Sequence, residues 1–322
     1  MTQNLTTWRK VLVPVAKLLG FALLCWGIYY TFVGGNETLS AHDWHVDPMW
    51  LVLAGLLYQL GCLPAAVFWH RVLTHAGQEV GILEALRAYY VSQLGKYVPG
   101  KLMVIVLRRS LLHSPSAENT VVAASIFFET FTMLAVGGAL STLLLVTWYR
   151  DEWLLIAAAV VSTALVGVPT IPSVFGWLLG VLKIGKLNPT AREKLTRIGP
   201  RAILVGWLTI AVGWTIQGMS FWATLRAMDA TTGGPLDNLS LHTAAVSLGV
   251  VAGFISQIPG GLGMREWVSA RLIEPQYGPS VAIVSAVIFR LVLLVSELVI
   301  SITLYAAGWR RGRKPVAVVE GG

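Results

Sequence analysis

Glu129, in AASIFFETF (123–131), and Arg290, in SAVIFRLV (285–292), each stand nine or ten residues inside a long apolar run. At about 1.5 Å of rise per residue this is roughly 15 Å of depth, near the middle of a bilayer. A charge placed there must pair or face water, and by default it marks a functional site. The plainest pairing is Glu129 with Arg290, a buried bridge joining two parts of the chain, with Glu297 seven residues further along as a substitute partner for Arg290. A second kind of chemistry lies in SQLGKYVPGK (92–101) and SQIPGGLGMREW (256–267). Pro99 and Gly100, and Pro259, Gly260, Gly261 and Gly263, interrupt helices, and an interrupted helix exposes backbone N–H groups with partial positive charge that suit phosphate. Lys96, Lys101 and Arg265 would strengthen that attraction. Gln93 and Gln257 hold corresponding places ahead of the two breaks. Glu266 would neutralise its neighbour Arg265 or cap the following helix. Lys96, Arg108 and Arg109 read equally well as side chains that snorkel to the interface.

The elements that must position these groups follow from composition. Of 322 residues 55% are hydrophobic and only 12% are charged, and several apolar runs exceed the twenty or so residues that cross a bilayer, so the chain reads as an all-α polytopic membrane protein. Six spans are expected, at 12–33, 49–70, 119–148, 152–170, 202–225 and 281–309; the first, without a small-residue cleavage site, reads as a retained signal anchor. Two further apolar stretches, 82–112 and 241–273, carry too many charges and breakers for lipid-facing helices. Each is expected to be a helix–break–helix hairpin that enters the membrane and returns on the same side.

The net charge of +8 would suggest nucleic acid in a soluble protein. Here the basic residues gather in short loops, so they orient the chain and no nucleic-acid partner is expected. With both termini cytoplasmic, nineteen of the 24 basic residues fall inside, four outside, and Arg290 within a span. The chain is thereby expected in the cytoplasmic membrane, with the two hairpins entering from opposite faces. Residues 48–148 and 202–309 then form two inverted-repeat halves of one membrane domain, ahead of a basic cytoplasmic tail at 310–322. Pro99 precedes Glu129 by 30 residues and Pro259 precedes Arg290 by 31, which places an acid and a base at matching positions.

At QLGKYVPGK, the Glu of FFETF, SQIPGGLGMRE and the Arg of IFRLV, the chain resembles the lysylphosphatidylglycerol synthase transmembrane, or flippase-like, domain family. The resemblance covers nearly the whole chain. It implies a membrane domain that moves lipids between leaflets: members fused to a synthase domain move an aminoacylated phospholipid, and stand-alone members are tied to glycolipid or polyprenyl-lipid pathways. Because this sequence stops at Gly322, synthesis of a lysyl-lipid is not expected of it.

An enzyme would need a constellation that the sequence lacks: it has no nucleophile elbow, P-loop or Cys–His pairing. Cys25 and Cys62 lie in separate apolar stretches and read as packing residues. His42, Asp43, His45 and Asp47 share a loop that reads as solvated rather than metal-binding. The stretch 177–183, apolar and then basic, suits a helix lying on the membrane surface. No enzymatic activity, cofactor or metal is expected. The expected function is movement of a phosphate-bearing lipid, whether phospholipid, glycolipid or polyprenyl phosphate. The candidate binding set is Gln93, Lys96, Pro99, Gly100, Lys101, Glu129, Gln257, Pro259, Gly260, Gly261, Gly263, Arg265, Glu266 and Arg290. The rival expectation is a non-transporting membrane partner of a glycosyltransferase or other cell-envelope enzyme, and a weaker one is an ion or proton-coupled transporter using Glu129.

Overall fold

A computed structural model describes residues 46–98, 102–114, 117–181, 193, 195 and 198–311. Among the described residues the chain is helical, without strands. Five helical stretches are long and apolar enough to cross a membrane, and they coincide with five of the six expected spans. The expected span at 12–33, most of the basic tail at 310–322, and His42, Asp43 and His45 lie outside the described residues. Asp47 caps a helix, accepting the Met49 backbone N–H at 2.8 Å.

That helix, α1 (Pro48–His75), starts the first half. It is followed by α2 (Ile82–Ser92), a 3₁₀ turn (Gln93–Tyr97), α3 (Leu102–Ser110) and the long α4 (Asn119–Trp148). After α5 (Trp153–Gly167) and α6 (Pro172–Val181) the order repeats. Long α7 (Pro200–Ala227) leads to α8 (Leu239–Ile255), a 3₁₀ turn (Pro259–Gly261), α9 (Met264–Tyr277) and long α10 (Pro279–Arg311). Both expected interruptions are therefore helix–break–helix units. Each folds back on itself: Ser92 on α2 meets Arg108 on α3, and Ala245 on α8 meets Ser269 on α9, so the paired helices run antiparallel.

The packing crosses between halves. α2 lies against α10 and α8 against α4, while α1 and α7 pack on each other along their lengths. α1 and α7 are both 28 residues long and both begin with proline, whose missing N–H costs nothing in a first turn. Pro48 to Gly61 and Pro200 to Gly213 are both 13 positions apart. These two glycines meet at the crossing: a Cβ on Gly61 would lie 2.8 Å from the Gly213 carbonyl oxygen, and one on Gly213 2.6 Å from that of Gly61. Backbone approach of this kind is how helices associate where lipid removes the hydrophobic drive. The core beside the crossing holds Trp69, Tyr89, Phe128, Trp214 and Phe221, all fully buried. Leu53, Leu56, Leu208, Val212, Val295 and Val299 stay exposed, as lipid-facing side chains do.

Candidate functional site

The second break is built by backbone conformations that favour glycine. α8 ends at Ile255, and Gln257 turns the chain with φ of +58°. Gly260, Gly261 and Gly263 follow with φ of +63°, +70° and +78° before α9 begins, a left-handed run that L side chains resist. The absent side chains also make room. A Cβ on Gly261 would sit 2.9 Å from both the Arg265 Nε and the Gly253 Cα, and one on Gly253 would sit 2.6 Å from the Arg265 Cγ. Arg265 thus lies across two bare glycines, one on α8 and one in the turn.

This arrangement delivers Arg265 into a central cavity of about 210 Å³ between the two breaks. Its polar lining includes Gln93, Lys96, Arg108, Glu129, Gln217 and Arg265, and its apolar wall includes Ile105, Phe127, Leu134, Ile210, Val250 and Phe254. Gly260 and Gly261 also face it. A mostly apolar chamber with a few convergent polar groups is the usual form of a ligand site.

Three ion pairs surround the chamber. Arg108 donates from Nη1 to Glu129 Oε2 at 2.9 Å and from Nε to Ser92 Oγ at 3.0 Å, with its guanidinium against the rings of Trp69 and Tyr89. Tyr89 Oη adds a hydrogen bond to Glu129 at 3.3 Å. Lys96 is bonded to Glu297, which also accepts from the hydroxyls of Tyr58 and Tyr97. Arg290 Nε lies 3.4 Å from Glu266 Oε1, and its Nη2 donates to the Gly260 carbonyl at 2.7 Å. The last pair is looser: neither Glu266 oxygen, nor the Nε and Nη1 of Arg290, completes a hydrogen bond, although all four atoms are buried. A small second cavity of about 30 Å³ adjoins Arg265, Glu266, Ser269 and Arg290. Arg265 itself has no carboxylate partner among the described residues, and its buried Nε is without an acceptor.

The structure therefore gathers Gln93, Lys96, Glu129, Gly260, Gly261 and Arg265 around one space, with Glu266 and Arg290 behind them. It does not join Glu129 to Arg290. Each midplane charge is met by a charge from the hairpin of its own half, Arg108 for Glu129 and Glu266 for Arg290. Glu266 accordingly serves Arg290 rather than its neighbour Arg265, and Glu297 serves Lys96 rather than Arg290. Besides Glu266 and Arg290, three expected site residues stay off the chamber wall. Gln257 is exposed, its amide turned back to the Phe254 carbonyl, while Pro259 and Gly263 shape the turn and the start of α9. Pro99, Gly100 and Lys101 lie outside the described residues.

Sequence reasoning missed Arg108, which read, with Lys96 and Arg109, equally well as an interface cation and is 2% exposed. It also missed Tyr58, Tyr89 and Gln217, polar residues among apolar ones whose direction only the packing decides. One available signal was the glycine pair Gly249 and Gly253, four residues apart on α8, which lets α9 lie close enough for Arg265 to cross.

Residues 15–301 match the family described as Lysylphosphatidylglycerol synthase TM region. The chain belongs to this family. The match includes both breaks and all but the last turns of α10. Comparison with curated proteins gives no match.

Proposed function

We propose that this protein moves a phosphate-bearing lipid between the leaflets of the cytoplasmic membrane, by binding and release and without covalent chemistry. The observation that carries the proposal is Arg265, a cation without a carboxylate partner among the described residues, held by two glycines against an apolar chamber. A lone cation in such a place is costly until an anion meets it. The headgroup phosphate supplies that anion while the acyl or prenyl tails stay in lipid.

The two helix–break–helix units act as re-entrant hairpins from opposite faces, with both termini cytoplasmic. Their packing supports an inverted repeat. Exchanging α1 with α7, α2 with α8, α3 with α9 and α4 with α10 maps the α2–α10 contact onto α8–α4 and the α1–α10 contact onto α7–α4. The Gly61–Gly213 crossing maps onto itself. Such symmetry provides two equivalent states of one site, as alternating access requires.

Leaflet exchange tests the proposal. In liposomes bearing fluorescent anionic, zwitterionic and polyprenyl-phosphate lipids, dithionite should quench the inner-leaflet signal faster with the purified protein than without it. Arg265→Gln, which keeps hydrogen-bonding capacity and removes the charge, should slow anionic exchange at least tenfold. If the wild type accelerates exchange of no lipid, the role of a non-transporting enzyme partner replaces this one.

A further inference from the structure

The charges around the chamber can be counted. Among the described residues, four cations line or adjoin it, Lys96, Arg108, Arg265 and Arg290, against three carboxylates, Glu129, Glu266 and Glu297. Every carboxylate is engaged by a cation, so the site carries one uncompensated positive charge and no free acid.

In a low-dielectric chamber an unbalanced charge is expensive whichever partner brings it. A headgroup with one negative charge closes the count. A diphosphate overshoots it by adding further unmatched charge. An aminoacylated headgroup brings an ammonium for which no carboxylate is free. Donor supply agrees: the Nε of Arg265 and the Nε and Nη1 of Arg290 are buried donors without acceptors, and both arginines line the small second cavity. A phosphodiester presents two non-bridging oxygens that share one charge, so it can accept from both guanidinium groups.

We infer that the chamber selects a singly charged phosphodiester headgroup free of any amine, and that the family's namesake, the lysyl ester, is not this protein's cargo. The inference rests on the proposed lipid site, yet it concerns binding and not movement. The apolar wall assigns that headgroup to a lipid.

The test uses the purified full chain in detergent with short-chain dioctanoyl lipids, reading affinity from ligand-dependent thermal stabilisation. Dioctanoyl phosphatidylglycerol should bind at least tenfold more tightly than its lysyl ester or than dioctanoylglycerol diphosphate. Arg265→Gln should erase that preference. Glu297→Gln, which keeps the hydrogen-bonding shape around Lys96 and frees a second cation, should shift preference toward the diphosphate by tenfold or more; Glu129→Gln provides the same change at Arg108. Equal or tighter binding of the lysyl ester or the diphosphate to the wild type would overturn the inference, as would a preference that survives Arg265→Gln. Glycerophosphoglycerol, the headgroup without tails, should not compete. If it competes as well as the lipid, the site takes a soluble phosphodiester and the lipid assignment falls. Selective binding without leaflet exchange would sink the transport proposal alone.

Discussion

In the first helix–break–helix unit, both cations that face the chamber are bound to a carboxylate, Lys96 to Glu297 and Arg108 to Glu129, with tyrosine hydroxyls completing each acid's shell. In the second, Arg265 has no acid among the described residues, and Glu266 faces Arg290 of α10 at 3.4 Å without a hydrogen bond. The two units share an order of elements and differ in what their charges have left to do. A satisfied network fixes a wall, and an unsatisfied one awaits a partner. Under the proposed function the first unit is the brace of the chamber and the second its ligand-binding side.

The strongest way to break this comparison is to remove an acid from the brace. Glu129→Ala leaves Arg108 buried without a counter-charge, which costs about 3–5 kcal/mol and should appear as loss of monodisperse protein after extraction. Arg108→Ala combined with Glu129→Ala should recover much of that stability, because no unpaired charge remains. If Glu129→Ala leaves the melting temperature unchanged, the brace is not a brace.

A smaller effect is expected within the break of the second unit. Gly261→Leu places a side chain at φ +70° against Gly253 and Arg265, a strain of about 1–3 kcal/mol that also displaces the arginine. The variant should assemble in the membrane and exchange no anionic lipid. Normal exchange by Gly261→Leu would show that Arg265 does not need its glycine seat.

The finest distinction concerns the two midplane pairs themselves. Double-mutant cycles should give a larger coupling for Arg108 with Glu129 than for Arg290 with Glu266, about 3 against about 1 kcal/mol. Glu129 and Arg290, which share no partner, should add within about 0.5 kcal/mol. Strong coupling between Glu129 and Arg290 would mean that the halves are joined by charge rather than by the α1–α7 crossing.

Local chemistry was legible in the sequence and pairing was not. The break at 259–261 was readable because proline and glycine act on their own backbone, whatever surrounds them. The place of Glu129 and Arg290 well inside long helices was readable because each stands in a long apolar run. Their partners were not, since pairing depends on how each helix is rotated about its axis, and α4, apolar on all sides, carries no periodic signal of that rotation. Arg108 was misjudged for a related reason. A charge at the end of a short helix looks exposed until a neighbouring span covers it.

The Lys96–Glu297 bond spans 201 positions of sequence, whereas Arg108 and Glu129 are 21 apart. Chains leave the ribosome at about 5–20 residues per second. Arg108 meets its acid within a few seconds of synthesis, while Lys96 waits roughly 10–40 s for α10 to be inserted. During that interval Lys96 lacks the carboxylate it pairs with in the finished fold, so inserting α10 is the step that completes the packing of the earlier helices. A chain truncated before Glu297 should on this ground be recognised as unfinished and degraded, and a chain truncated after α10 should not.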